Sequence, residues 1–465
     1  MNSGIPAFAN VEQLRKRAKD LLRASRSGDA AALARITAHR RQDRPQPLLS
    51  DAQLTLAREY GFPSWAQLRS YVERLAEHGP GLEHAYRDDP GYYEERADGL
   101  LASAEDGTPS AVAAFDRARA PVDRNGARLV LARQHGFRSW AGLRGHVRGL
   151  IAGGEPFARA YRAVEAQDVA GLGALVGRFP ELVHARGTNG NDLLGMATAT
   201  CDERLVQVLL DRGADPARAN AHDWTALHQT AYSGQPHLAR LLLATGAPID
   251  VSARGDGGTP LVIALFWGHT EVAELLATAG VVPANLRAAA GLGRLDLLGE
   301  LLAPDGTPTR EAGAHRGFYR PHSGFPAWRP SDEPKEIRNE ALTWAARNGR
   351  VEAVELLVRH GADVDADVYR GTALTWAAAC GQALAAQGLL ALGADPNRRG
   401  TFGGPGHGEG VTALHLAAQH GSVGVIEVLL RAGADPSIRD NLHGGDAASW
   451  AEEFGQQAAR ELLNT

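Results

Sequence analysis

A pattern with a period of about 33 residues runs through the larger, C-terminal part of this 465-residue chain, and it leaves few folds open. Its copies include NDLLGMATATCDERLVQVLLDRGADPAR (191–218), WTALHQTAYSGQPHLARLLLATGAPID (224–250) and NEALTWAARNGRVEAVELLVRHGADVD (339–365). The common pattern is a short apolar stretch closed in most copies by Gly, a second stretch with paired leucines such as Leu209–Leu210 or Leu429–Leu430, and a Gly-Ala-Asp turn, varied to Gly-Ala-Pro in 224–250. That order predicts two short helices per copy and a hairpin finger between copies. No single copy has enough apolar surface to fold alone, so the copies must stack into an all-α array.

The ends of the predicted helices carry local signals. Thr225, Thr259, Thr372 and Thr412 stand where a first helix begins and serve as N-caps. Gly234, Gly268, Gly349, Gly381 and Gly421 stand where it ends, the place of a left-handed C-terminal residue. The stretch TALHLAAQHGSVGVIEVLLRAGADP (412–436) resembles the ankyrin-repeat family closely. The resemblance runs from about Gly187 to the last residues, through about eight copies. It implies an ankyrin-repeat solenoid of helix–turn–helix repeats with hairpin fingers over 155–465, opened by a capping hairpin at 156–186. It also implies that His228 and His415, in the family's histidine position, bridge neighbouring repeats and have no part in catalysis.

A different repeat fills the N-terminal third. LSDAQLTLAREYGFPSWAQLRSYVERL (Leu49 to Leu75) returns as RNGARLVLARQHGFRSWAGLRGHVRGL (Arg124 to Leu150). The wider match predicts one helical unit occurring twice, at 11–75 and 91–150, within a module ending at 153 where Gly153, Gly154 and Pro156 mark a boundary. In the first copy Ser50 and Ser64 read as N-caps and Gly61 as a C-terminal turn; Trp65, Leu68 and Val72 share one face. Gly136, Phe137, Ser139, Trp140, Leu143 and Val147 repeat that logic. This duplicated module before ankyrin repeats resembles proteins of the actinobacterial type.

Several functions are argued against. A formal net charge of -5 advertises no polyanion partner, and the basic stretch at Arg15, Lys16 and Arg17 is interleaved with Glu12 and Asp20 and lost in the second copy. Nucleic-acid binding is therefore not expected. Two cysteines, Cys201 and Cys380, exclude a disulfide framework and suit a reducing, cytoplasmic compartment. No stretch reaches the ~20 apolar residues of a membrane span. No metal-binding or nucleophile motif occurs, so no cofactor and no metal is expected; a site from His315, His322 and His407 would have arbitrary spacing.

Two departures from the repeat carry the functional expectation. The position after the box, or just before the turn glycine, should face the concave side. Trp344, Trp376 and Trp450 fill the first and Trp267 the second; in the two ALTWAA boxes Thr343 and Thr375 replace the histidine. The second departure is an insert at 304–336 containing GAHRGFYRPHSGFPAWRPSDEP, with a shorter one at 401–410. Its Phe318, Tyr319, Phe325 and Trp328 give it apolar surface that a plain linker lacks. His315, Arg316, Tyr319, Arg320 and His322 are the polar set expected to face a ligand beside Trp328, Trp344, Trp376, Trp267 and Trp450. The reading is a non-enzymatic scaffold holding a protein or peptide in a Trp-lined groove, as ankyrin resemblance implies. The alternative is an enzyme or small-molecule binder with a pocket between insert and tryptophans.

Overall fold

The computed structural model describes residues 10–40, 46–105, 107–253, 255–317, 328–401 and 410–464. They form two compact units, Met1–Ala226 and Leu227–Thr465.

Unit 1 opens with helices Val11–Arg26, Ala30–His39, Leu49–Glu59 and Trp65–His78, followed by Pro90–Glu105, Pro109–Ala118, Arg124–Gln134 and Trp140–Arg148. Their lengths run 16, 10, 11 and 14 residues, then 16, 10, 11 and 9. Ser64 and Ser139 cap the last helix of each set, accepting the N–H of Gln67 and of Gly142, both at 3.3 Å. Ser50 is not a cap. The helix starts two residues earlier, at Leu49 with Leu48 as its cap, because the Asp51 carboxylate takes the Leu48 N–H at 2.8 Å and closes the first turn. Phe62, Leu68 and Val72 are buried, as are Leu143 and Val147, while Trp65 and Trp140 are half-buried.

The unit continues through helices Pro156–Glu165 and Val169–Arg178, the hairpin expected at 156–186, and through Leu193–Ala199 and Glu203–Leu210. The boundary expected near Gly153–Gly154 therefore runs inside unit 1, and several contacts cross it. Strand Glu83–His84 pairs in parallel with Arg186–Gly187. Arg74 holds Glu155 at 2.6 Å, and Glu83 accepts the Asn189 N–H at 3.1 Å. Gly154 has φ 66°, and a β-carbon there would collide with the Gly61 carbonyl.

Two histidines lie in this seam. His135 is 1% exposed; its Nδ1 meets the Glu83 carbonyl at 2.6 Å and its Nε2 the Thr188 hydroxyl at 3.2 Å. A neutral imidazole, donating from Nδ1 and accepting at Nε2, satisfies both. Burial, with a smaller contribution from Arg74, pulls the His135 pKa down to about 4. His84, stacked on Phe157, falls to about 3 for the same reasons, whereas burial pushes the Glu83 carboxyl up to about 7. The Glu83 effect has the opposite sign, so a single-site variant isolates the histidine. Because the unfolded chain protonates His135 near pH 6.5 and the folded one only near 4, its share of stability is full above that range and is lost as pH falls. The stability advantage of wild type over His135→Gln is expected to grow by up to about 3 kcal/mol between pH 4 and 6.5 and then level off. Urea unfolding at several pH values measures it, and a flat difference would rule the burial effect out.

Unit 2 stacks helix pairs. First helices, among them Pro260–Trp267, Leu286–Leu292, Pro334–Arg347, Ala373–Ala379, Ala413–Gln419 and Ala447–Glu453, pack on one another. Second helices, including Val351–Arg359, Ala383–Ala391 and Val423–Arg431, form a parallel layer. One apolar core runs from Leu286 to Ala459, with Leu429 fully buried. Thr259 and Thr372 cap first helices through the N–H of Val262 and of Thr375, at 3.4 and 3.2 Å. His415 shows why the box favours histidine. Its Nδ1 accepts the Thr412 N–H at 3.2 Å, leaving Nε2–H to donate to the Gly445 carbonyl of the next finger at 3.2 Å. His228 reaches Gly258 in the same way at 3.1 Å. Both histidines are structural bridges. Thr375 supplies only the first half, accepting the Thr372 N–H at 2.7 Å.

Candidate functional site

The insert enters unit 2 through a small hairpin, bridged between Leu302 and Pro308, and a single turn at Glu311–Gly313. It leaves through Pro334, which begins a 14-residue helix. Pro suits the first helical turn, and the following Lys-Glu-Ile-Arg-Asn-Glu run favours helix, so this helix starts well before the box. Glu340, in the place of the box threonine, is consequently inside the helix and only 1% exposed.

Two guanidiniums meet that carboxylate. Arg287, 1% exposed, donates from Nη1 to Glu340 Oε1 at 3.2 Å, and Arg316 Nε donates to Oε2. Arg316 also donates to the Ser331 carbonyl at 2.7 Å and to Glu336 at 3.3 Å. Arg287 precedes Gly293 by the same interval that separates His228 from Gly234 and His415 from Gly421. It takes over the histidine's bridge: its Nη2 donates to the His315 carbonyl at 2.8 Å. His315 itself is exposed and left-handed, φ 55°, with its ring nitrogen 3.0 Å from the Asp256 carboxylate.

The aromatic side chains gather around Phe266. Trp344 lies 6.1 Å from it and Trp376 5.8 Å, between ring centres. Trp344 is 0% exposed, with the Arg287 guanidinium 4.8 Å above its ring. Trp376 is 2% exposed; its indole N–H donates to the Tyr369 carbonyl at 3.1 Å. Arg347 lies 3.4 Å from the Trp376 ring and 4.2 Å from that of Phe266, and donates to the Phe266 carbonyl at 2.9 Å. Trp328, from the insert, stacks on Tyr369 at 5.6 Å. Trp267 meets Tyr232 and Phe266 edge-on, each at 5.2 Å, and is half-exposed like Trp328. Trp450 stands apart in the last repeat, bonded to Asp440 at 3.0 Å and edge-on to His415.

The expected contact set thus divides. Trp344, Trp376 and Trp328 do come together, Trp328 joining through Tyr369. Trp344 and Trp376 are not an open ladder, however, because Phe266 and the faces of Arg287 and Arg347, from earlier repeats, lie over them. Arg316 is not a surface clamp, because Glu340 and Glu336 hold it inside. Tyr319, Arg320, His322 and His407 lie outside the described residues. Phe266, Arg287, Glu340, Arg347 and Tyr369 were not anticipated. Arg287 had a signal, its interval from Gly293; Phe266 and Arg347 share the position two before the turn glycine, one residue off the column that was read.

The chemistry of the cluster is that of a fixed framework. Burial pushes the Cys380 thiol up to about 11, and its sulfur rests 3.8 Å from the Trp267 carbonyl, which leaves no thiolate at neutral pH. Among the described residues no three His, Cys, Asp or Glu side chains converge as metal ligands. Among them, too, no helix is long and apolar enough to cross a membrane.

Residues 194–285 and 286–400 match the family described as ankyrin repeats in three copies, and 409–441 match the single ankyrin repeat; together these segments exceed half the chain. Protein PhlB of Serratia liquefaciens is 41% identical over 86 residues, 18% of this chain and 38% of that protein. Protein fem-1 homolog A of Homo sapiens is 32% identical over 152 residues, 32% of this chain and 20% of that one. The ankyrin repeat and KH domain-containing protein mask-1 of Caenorhabditis elegans is 29% identical over 247 residues, 52% of this chain and 8% of that one. The match spans well under two thirds of each relative's length. With the box-histidine bridges, the stacked helix pairs and the matched segments all in agreement, the chain belongs to the ankyrin-repeat family.

Proposed function

We propose that the protein is a non-enzymatic scaffold that recognises a protein or peptide on the first-helix side of unit 2, with the insert as the border of the contact surface. Ankyrin repeats generally mediate protein–protein interaction. The observation that carries the reading is the layering of the aromatics. Trp344, Trp376 and Phe266 form a buried floor clamped by Arg287 and Arg347, and Trp267, Tyr232 and Trp328 sit half-exposed or exposed upon it. Rigid aromatics on a pre-formed floor lose little entropy on binding, which is what interface anchors require. His315 and Trp450 belong to the proposed surface as its outer members. The raised Cys380 thiol and the internally bonded Arg316 argue against a catalytic reading.

The same proposal takes the N-terminal helices as an internal duplication of one four-helix unit, supported by the recurring order of lengths.

The test is capture of partners from native lysate by wild type and by Trp267→Ala with Trp328→Ala. Each anchor is expected to be worth about 2 kcal/mol, so the double variant should lose the partner band while its helical signal stays unchanged. Undiminished capture would remove these residues from the surface.

A further inference from the structure

Three histidines line the seam inside unit 1, and the scaffold reading uses none of them. They come from three elements: strand Glu83–His84, the C-terminal cap of helix Arg124–Gln134 and helix Trp140–Arg148. Facing them are Glu155, Phe157 and Thr188, on the far side of the Gly153–Gly154 boundary. The surroundings of each ring suit an uncharged imidazole. His84 is buried face to face with Phe157, 5.4 Å between ring centres. His135 has both nitrogens engaged, by the Glu83 carbonyl and the Thr188 hydroxyl. Next to His146 Nδ1 is a donor, Arg74 Nη1 at 3.4 Å, so that nitrogen accepts and carries no proton.

A proton arriving at any of the three finds little to balance it. Glu155 is 3.8 Å from His146 Nε2, but Arg74 already holds that carboxylate at 2.6 Å, and one anion would then face two cations. The other titratable groups at the seam are Glu83, bonded to the Asn189 N–H, Tyr93, edge-on to His135, and Tyr71, beside His84. Arg186 acts on Glu83 and Glu181 on Tyr71, both from the repeat side. Burial, with Arg74 adding to it, pulls His84 and His146 down to about 3 and His135 to about 4. Burial also pushes the Glu83 carboxyl up to about 7 and raises that of Glu155.

We propose that the seam is an acid-released latch, in which protons taken up by the three histidines part the N-terminal helices from the segment 155–191 while the helices on both sides stay formed. An opened seam returns each imidazole to water, where it binds a proton near pH 6.5. The closed form is therefore fully favoured above that pH and loses ground as pH falls toward about 4. Glu83 and Glu155 work in the opposite direction, favouring closure as pH falls from about 7 to the ordinary carboxyl range. Three histidines against two carboxylates leave a net uptake of about one proton on opening, hence about tenfold easier opening per pH unit near pH 5.5.

The experiment is amide hydrogen exchange of the full chain from about pH 6.5 to 4.5, with exchange times corrected for the intrinsic rate. Protection around Glu83–His84 and Arg186–Gly187 is expected to fall about tenfold per pH unit, while helices Val11–Arg26 and Leu193–Ala199 keep theirs. Protection at the seam that does not change with pH overturns the latch, as does protection lost together with that of the helices, which is ordinary acid unfolding. His135→Gln with His146→Gln keeps hydrogen-bonding groups at both places but removes two titrating rings, leaving two carboxylates against one histidine. The double variant is expected to lose the acid response or reverse it, and an undiminished response would also overturn the proposal. The wild-type profile decides the matter even where the double variant fails to fold.

Discussion

Glu340→Ala is expected to destabilise unit 2 by about 3–5 kcal/mol, the cost of stranding buried charge. Removing the carboxylate leaves Arg287 and Arg316 in the interior, facing the His315 and Ser331 carbonyls, Glu336 and the Trp344 ring, without the charge that both guanidiniums share. The two guanidiniums would also repel each other in a medium of low polarisability. Urea unfolding followed by far-UV circular dichroism measures the loss. Attraction within the cluster is offset by the desolvation of three ions, so deleting all of them together should be milder than deleting one. Glu340→Leu with Arg287→Met and Arg316→Met is therefore expected to recover much of the stability lost in Glu340→Ala. If the triple variant is as unstable as the single one, packing of the insert rather than charge is what Glu340 provides.

Trp344→Ala should cost about 3–5 kcal/mol, as for a large aromatic removed from a core. The side chain has no exposed surface, and the cavity would open between Phe266 and the Arg287 guanidinium, neither free to collapse into it. The measurement is again chemical unfolding. A loss below about 1 kcal/mol would mean that the site relaxes, and that the floor is less rigid than its bonding implies. The expected size also decides how binding must be tested. A Trp344 variant confounds loss of partner with loss of fold, so the half-exposed Trp267 and Trp328 are the residues to change.

Much of this fold was legible because ankyrin-type repeats announce themselves through spacing. Threonine caps, turn glycines and paired leucines recur at fixed intervals in most copies, and each has a local physical reason. His228 and His415 were assigned through the family resemblance, and their bonds to Gly258 and Gly445 agree with it. The candidate site was legible only in part. The sequence placed Trp344 and Trp376 in one column and the insert beside them, and Trp328 does reach that cluster. It did not show whether an indole in that column is covered. Cover comes from residues distant in the chain: Phe266 lies far upstream of Trp376, and Arg347 reaches back to the Phe266 carbonyl. Nor does sequence spacing reveal that Arg316 turns inward, because its partner Glu340 stands where a threonine cap would be and becomes internal only once the helix extends to Pro334. In unit 1 the misread cap at Ser50 was a competition between adjacent polar residues, settled by Asp51, whose carboxylate reaches the Leu48 N–H.

The geometry at Arg316 has a consequence for how such a chain tolerates change. One guanidinium holds both banks of the insert, its own segment and the Ser331 carbonyl, and roots them in Glu340. The bridge from Arg287 to His315 is already complete before that point, so the register of the repeat stack does not depend on what lies between the two banks. Closing a loop whose ends are already pinned costs little more when the loop is longer, since the entropic cost grows only with the logarithm of length. The array therefore takes its register from the two banks themselves, with Arg316 tying Ser331 to Glu340 and Arg287 tying the first helix to the His315 carbonyl, and that register is set by a handful of buried charges.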